Sequence, residues 1–143
     1  MNRRIAHTAQ IVALVLALAL VPAALAAKGG HSGTTSGSGS LSGPTMVSDA
    51  NANGLPNWGD QITFNVSTSW TYYPSVEVDC SQNGALVYRQ IVGFYPTYIG
   101  DPYFTLSGYW WTGGAADCTA MLYYTAKNGS RTTLATLSFP VGA

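Results

Sequence analysis

The segment DANANGLPNWGD, Asp49 to Asp60, carries oxygen-bearing side chains at the spacing of a calcium loop. Asp49, Asn51 and Asn53 fall at the first, third and fifth places of that pattern, Gly54 at the sixth, where the chain must turn sharply, and Asp60 at the twelfth. In the same frame Leu55 offers a backbone carbonyl and Asn57 takes the ninth place. Three features depart from the pattern. Asp60 replaces the usual bidentate glutamate, Pro56 lacks a backbone amide, and the flanking residues read as strands rather than helices. With two carboxylates the site would be weak, with a Kd of ~10⁻⁴ to 10⁻³ M, as in extracellular modules. Asp, Asn, Gly and Pro are also the residues that build turns. The segment therefore reads either as a weak calcium site or as punctuation between two strands.

Groups suited to catalysis are scarce. The two histidines are His7 and His31, both ahead of the region that reads as folded, so neither a Ser-His-Asp triad nor a histidine-rich zinc site is expected. Glu77 and Asp79 sit two residues apart on one expected strand and are the candidate carboxylate pair for glycoside hydrolysis. Solvated charges on a sheet face are the simpler reading, and no enzyme is expected. Asn65-Val66-Ser67 and Asn128-Gly129-Ser130 match the N-glycosylation pattern, which is short enough to arise by chance.

The elements that position these groups begin after two non-domain segments. Residues 1–27 read as a signal peptide: Arg3 and Arg4, an apolar run from Ile11 to Val21, then small residues with cleavage expected after Ala26. The apolar run is shorter than the ~20 residues of a spanning helix. Arg3-Arg4 suits the general or the twin-arginine route. Residues 28–45, with KGGHSGTTSGSGSLSGPT, read as a Gly/Ser-rich flexible linker.

Residues 46–143 read as a single β domain, because apolar and polar residues alternate along Ile62 to Ser67, Val76 to Ser81 and Cys118 to Tyr124. Asn83-Gly84 is a hairpin signal of the type that needs positive φ at both central residues. A second turn is expected at Asn128-Gly129. Seven strands follow, at 45–48, 61–69, 75–82, 85–92, 103–107, 117–126 and 131–139, which together predict an antiparallel β-sandwich. The third and sixth strands should be neighbours, and Cys80 and Cys118 are expected to form a disulfide between them, within one sheet.

After cleavage, Lys28, Arg89, Lys127 and Arg131 stand against Asp49, Asp60, Glu77, Asp79, Asp101 and Asp117: four cations against six anions leave −2. Four scattered cations do not make the basic footprint of a nucleic-acid binder. Nucleic acid is not an expected partner, nor is a membrane once the signal is removed.

The segments VSDANANGLPNWGDQITFNVST, VDCSQNGALVY and TGGAADCTA resemble secreted bacterial immunoglobulin-like (Ig-like, fibronectin-III-like) β-sandwich domains, in which a D-x-N-x-N-G loop and a Gly-Asp such as Gly59-Asp60 lead into the second strand. The resemblance spans residues 46–143 and implies an extracellular, non-catalytic module. It carries over no binding residues. Antibody domains join their second and sixth strands; here the first cysteine falls one strand later.

The remaining candidates are aromatic. In the expected topology SWTYYP, with Trp70, Tyr72 and Tyr73, and GFYPTYIGDP, residues 93–102, lie at one end of the sandwich, while Trp58 and the run Tyr109, Trp110 and Trp111 lie at the opposite end. Exposed aromatics on such loops would suit stacking on sugar rings or anchoring a protein. Against that, Trp70 and one of Trp110 or Trp111 would plug the ends of the core. Two functions are therefore expected: a secreted binding or structural module with a protein or polysaccharide partner at the cell exterior, or a carbohydrate-binding module using the loop aromatics, with or without calcium.

Overall fold

The computed structural model describes residues 39–143. The expected signal at 1–27 and the first part of the expected linker, 28–38, lie outside the described residues. Seven strands form: β1 (Gly39–Ser48), β2 (Gln61–Thr68), β3 (Ser75–Gln82), β4 (Ala85–Gly93), β5 (Phe104–Thr105), β6 (Ala116–Thr125) and β7 (Arg131–Val141). They build two antiparallel sheets, ordered β1-β2-β5 and β4-β3-β6-β7, as a β-sandwich.

The alternation seen in the sequence becomes the core. Ile62 and Phe64 from β2 face Val76 and Val78 from β3, Leu122 from β6 and Leu137 from β7, all buried. Phe64 sits at the centre of an aromatic junction, edge-on to Phe104 at 5.6 Å and to Phe139 at 5.8 Å. Asn83 and Gly84 adopt φ of 51° and 80°, the paired positive values of the tight turn expected between β3 and β4. The β6–β7 connection is longer than a two-residue turn. Ala126 N–H donates to Ser130 O, Gly129 takes the positive φ, and Asn128 Oδ1 accepts from Ser130 N–H.

The first strand is already formed at Gly39, the first described residue, so Gly39 to Thr45 belong to the sheet rather than to a linker. Composition misleads here because this edge strand is held by its backbone: Gly39 to Ser42 pair in register with Thr68 to Asn65 of β2. Leu41 is its one fully committed apolar side chain. Gly39 is glycine for a packing reason, since a Cβ there would lie 2.8 Å from the Cβ of Leu134.

Glu77 also departs from expectation. It points from β3 to the outer sheet face yet is 4% exposed. Arg89 approaches one carboxylate oxygen at 3.1 Å and Arg131 the other at 2.6 Å. Arg89 also grips both oxygens of Asp79, its partner across the β3–β4 ladder. The carboxylate pair is neutralised by arginines instead of being solvated.

Candidate functional site

Cys80 and Cys118 stand opposite each other in the β3–β6 ladder and are joined by a disulfide, Cα to Cα 4.0 Å. The bridge lies within one sheet, as the strand order predicts. It points to an oxidising, extracellular-type compartment. Among the described residues no helix is long and apolar enough to cross a membrane.

The Asp49–Asp60 loop is organised from its last residue. Asp60 is 2% exposed, and its two oxygens accept hydrogen bonds from Ala50 N–H at 3.0 Å and Asn57 N–H at 2.9 Å. Its backbone carbonyl accepts from Leu106 N–H at 2.8 Å, joining the loop to the segment after β5. Asn51 Oδ1 accepts from Asn53 N–H, and Asn53 Oδ1 accepts from Leu55 N–H. Asn57 turns its amide nitrogen toward Asn53 Oδ1 and the Leu55 carbonyl, at 3.2 and 2.8 Å, and packs its oxygen against Gly142. Asp49 differs from the others. One oxygen accepts from Gly54 N–H at 2.7 Å, while Oδ1 is buried without a hydrogen-bond partner. Among the described residues no three carboxylate, histidine or cysteine side chains gather at one point.

Asp60 is therefore the structural keystone of the loop. Changing Asp60 to Ala leaves the buried Asn57 amide without its acceptor and frees Ala50, with an expected loss of about 3 kcal/mol from two charge-assisted bonds. Urea unfolding checks it; a variant with the wild-type midpoint would remove Asp60 from this role.

The two aromatic sets predicted as one class of site lie at opposite ends of the sandwich. Tyr109, Trp110 and Trp111 share an end with the Asp49–Asp60 loop. Tyr109 and Trp110 are exposed and touch edge to face at 4.7 Å. Trp111 is fully buried, so it leaves the binding list: its indole donates to Gly114 O, its ring lies 5.9 Å from Tyr88, and its carbonyl accepts from Trp58 Nε1. It is the plug of that end. Burial drives the Tyr88 phenol above its ordinary range, and its hydroxyl donates to Gln90.

At the other end Trp70, expected as a plug, is 59% exposed and leans against Tyr124 at 6.4 Å. Tyr72 and Tyr73 are exposed beside it. Tyr73 meets Tyr95 edge to face at 5.2 Å, and Tyr95 meets Tyr98 at 5.5 Å, joining the loop after β2 to the loop after β4. An open groove of about 390 Å³ runs along Gly93, Phe94, Tyr95, Pro96, Tyr98, Gly100 and Pro102. Gly93 must be glycine, because any Cβ would collide with the rings of Tyr95 and Tyr98. Beyond the groove, Asp101 bonds the Tyr103 phenol and raises it above its ordinary value.

Tyr95 and Tyr98 belong to the aromatic segment 93–102 expected at this end, although the sequence does not single them out as individual binding residues. A signal exists in Gly-Phe-Tyr-Pro-Thr-Tyr-Ile-Gly, two tyrosines bracketed by glycines on a loop too long for a hairpin turn. Fold and site together define a disulfide-bonded, all-β sandwich domain with an aromatic end. Comparison with known protein families, curated proteins and solved structures finds no match.

Proposed function

We propose that this chain is a secreted, non-catalytic Ig-like module that holds a partner at the cell exterior. The sheet composition supports the Ig-like reading, since seven antiparallel strands divided between two sheets, β1-β2-β5 and β4-β3-β6-β7, is the sandwich architecture that Ig-like and fibronectin-like domains share. The disulfide supports export. The non-catalytic reading is supported by two observations: both histidines precede the domain, and the Glu77–Asp79 pair is engaged by Arg89 and Arg131. The observation that carries the binding role is the set of exposed rings at Trp70, Tyr72 and Tyr73, the last of them braced edge to face by the half-buried Tyr95. Exposed large rings on loops fixed by a rigid scaffold are what binding surfaces are built from.

The test is partition between producing cells and medium. The wild-type chain should stay with the cells, and the triple variant Trp70→Ala, Tyr72→Ala, Tyr73→Ala should be released to the medium. Its stability should change by no more than about 0.5 kcal/mol per site, as for surface substitutions. Equal partition of the two folded proteins would sink the reading.

A second reading adds calcium, favoured by the buried, unpartnered Oδ1 of Asp49. Asp49 would hold the ion with the side-chain oxygens of Asn51 and Asn53 and the Leu55 carbonyl. Asn57 and Asp60 would support the loop, since the first presents its nitrogen and the second is buried with both oxygens on backbone amides, whereas Asn51 and Asn53 are exposed and would exchange their loop hydrogen bonds for the ion. At ~5 mM calcium a site of this class stabilises by about 1 to 2 kcal/mol. A thermal melt of the oxidised protein should then rise by several degrees over a chelator control, and the rise should vanish in Asp49→Ala. Superimposable melts would leave the loop as a turn. Asp60→Ala is the wrong variant for this purpose, because it weakens the fold with or without the ion.

A further inference from the structure

We infer that the tyrosine groove along residues 93–102 is a subsite for the pyranose rings of a neutral polysaccharide. The inference rests on the binding reading above and names the ligand class of the same end of the molecule. Three observations carry it.

The first is preorganisation. Tyr95 is held edge to face between Tyr73 and Tyr98, at 82° and 77°, and both Tyr95 and Tyr98 lie on Gly93, where a side chain would displace them. Their rings are oriented before any ligand arrives, so little side-chain entropy is lost on binding. The second is chemistry. A pyranose ring has an apolar C–H face and a rim of hydroxyls; a tyrosine has a π face and a hydroxyl at its edge, able to donate and accept. Phe94, Pro96 and Pro102 supply further apolar wall. The third is charge. No Lys, Arg, Asp or Glu lines the groove, so nothing there answers a uronate, sulfate or phosphate.

The shape agrees. A volume of about 390 Å³ falls within the ~300 to 1,000 Å³ of small-ligand clefts. The groove is open, and Tyr73 continues the aromatic surface beyond it, which suits a polymer entering and leaving rather than an enclosed monosaccharide. Tyr109 and Trp110 lie at the far end of the sandwich, away from the groove.

The test is affinity electrophoresis of the full exported chain in gels containing hydroxyethylcellulose, galactomannan or arabinoxylan, with polygalacturonate as the anionic polymer and a proline decamer titrated separately. At least one neutral polymer should retard the wild type. The double variant Tyr95→Ala, Tyr98→Ala should weaken retardation about ten-fold or more, and Tyr109→Ala, Trp110→Ala should leave it unchanged. Tyr73→Ala, at an exposed position, should weaken binding several-fold in a protein that melts like the wild type, which guards against misfolding of the double variant.

Absence of retardation in every neutral gel overturns the inference, as does retardation by polygalacturonate alone or undiminished retardation of the folded tyrosine variants. Binding of the proline decamer through the same tyrosines overturns the sugar class and leaves the binding module intact. Loss of cell association in the aromatic variants with no sugar bound does the same. Cell association that ignores those variants brings down the binding reading itself.

Discussion

Trp111→Ala should lower the stability of the domain by about 4 kcal/mol, the range for emptying a large aromatic from a core. The side chain is fully buried at the end of the sandwich that holds the Asp49–Asp60 loop, where it meets Tyr88 and anchors Gly114. Its removal opens a cavity between two loops, and the Trp58 indole, bonded to the Trp111 carbonyl, loses the packing that fixes its acceptor. Urea unfolding at constant m-value measures the effect. The adjacent Trp110→Ala, at an exposed position, should change stability by no more than about 0.5 kcal/mol. If the two variants unfold together, Trp111 is not the plug of this core. The contrast between neighbours in sequence makes the experiment its own control.

Loss of the disulfide should have an effect of the same size. Cys80 and Cys118 are 38 residues apart, and on the chain-entropy account closing that loop stabilises the folded state by about 4 kcal/mol. A domain of this size has a total stability of about 5 to 15 kcal/mol, so the bridge supplies a large fraction. The double variant Cys80→Ala, Cys118→Ala should melt about 20 °C below the oxidised wild type. Reductant should bring the wild type down toward the variant and leave the variant unmoved. A variant within a few degrees of wild type would mean that the β3–β6 pairing holds without the covalent link. Alanine is the replacement of choice because both sulfurs are buried, and serine would add an unsatisfied hydroxyl.

Much of the scaffold was legible because its signals are local. Strand alternation from Ile62 to Ser67 and from Val76 to Ser81 puts one face in the core, and a slip of one residue would expose it. Asn83-Gly84 sets the β3–β4 hairpin through its positive φ values, and the strand count then makes β3 and β6 neighbours, so the cysteine pair follows. β1 escaped the same logic. A Gly/Ser edge strand has almost no side-chain pattern, and its place is decided by pairing with β2 and by a close approach to Leu134 that only glycine allows.

The candidate sites were legible by composition and not by arrangement. Tyr109, Trp110 and Trp111 are equivalent in a linear chain, yet only the last turns into the core, because an irregular loop has no fixed period to assign its faces. The outward face of β3 suggests a solvated Glu77; Arg131, 54 residues away, covers it. The spacing of Asp60 fits a metal ligand, while the fold commits both of its oxygens to backbone amides.

By itself, then, the sequence determined an all-β sandwich, its hairpins, its disulfide and the absence of histidine chemistry in the domain, since each depends on residue type, period two or short-range turn geometry. The strand topology also brings the loops 69–74 and 93–102 to one end; tertiary structure alone decided which rings are exposed, which carboxylates are paired, and that Tyr73, Tyr95 and Tyr98 meet edge to face. Those outcomes depend on contacts between segments far apart in the chain, where side-chain direction is set by packing.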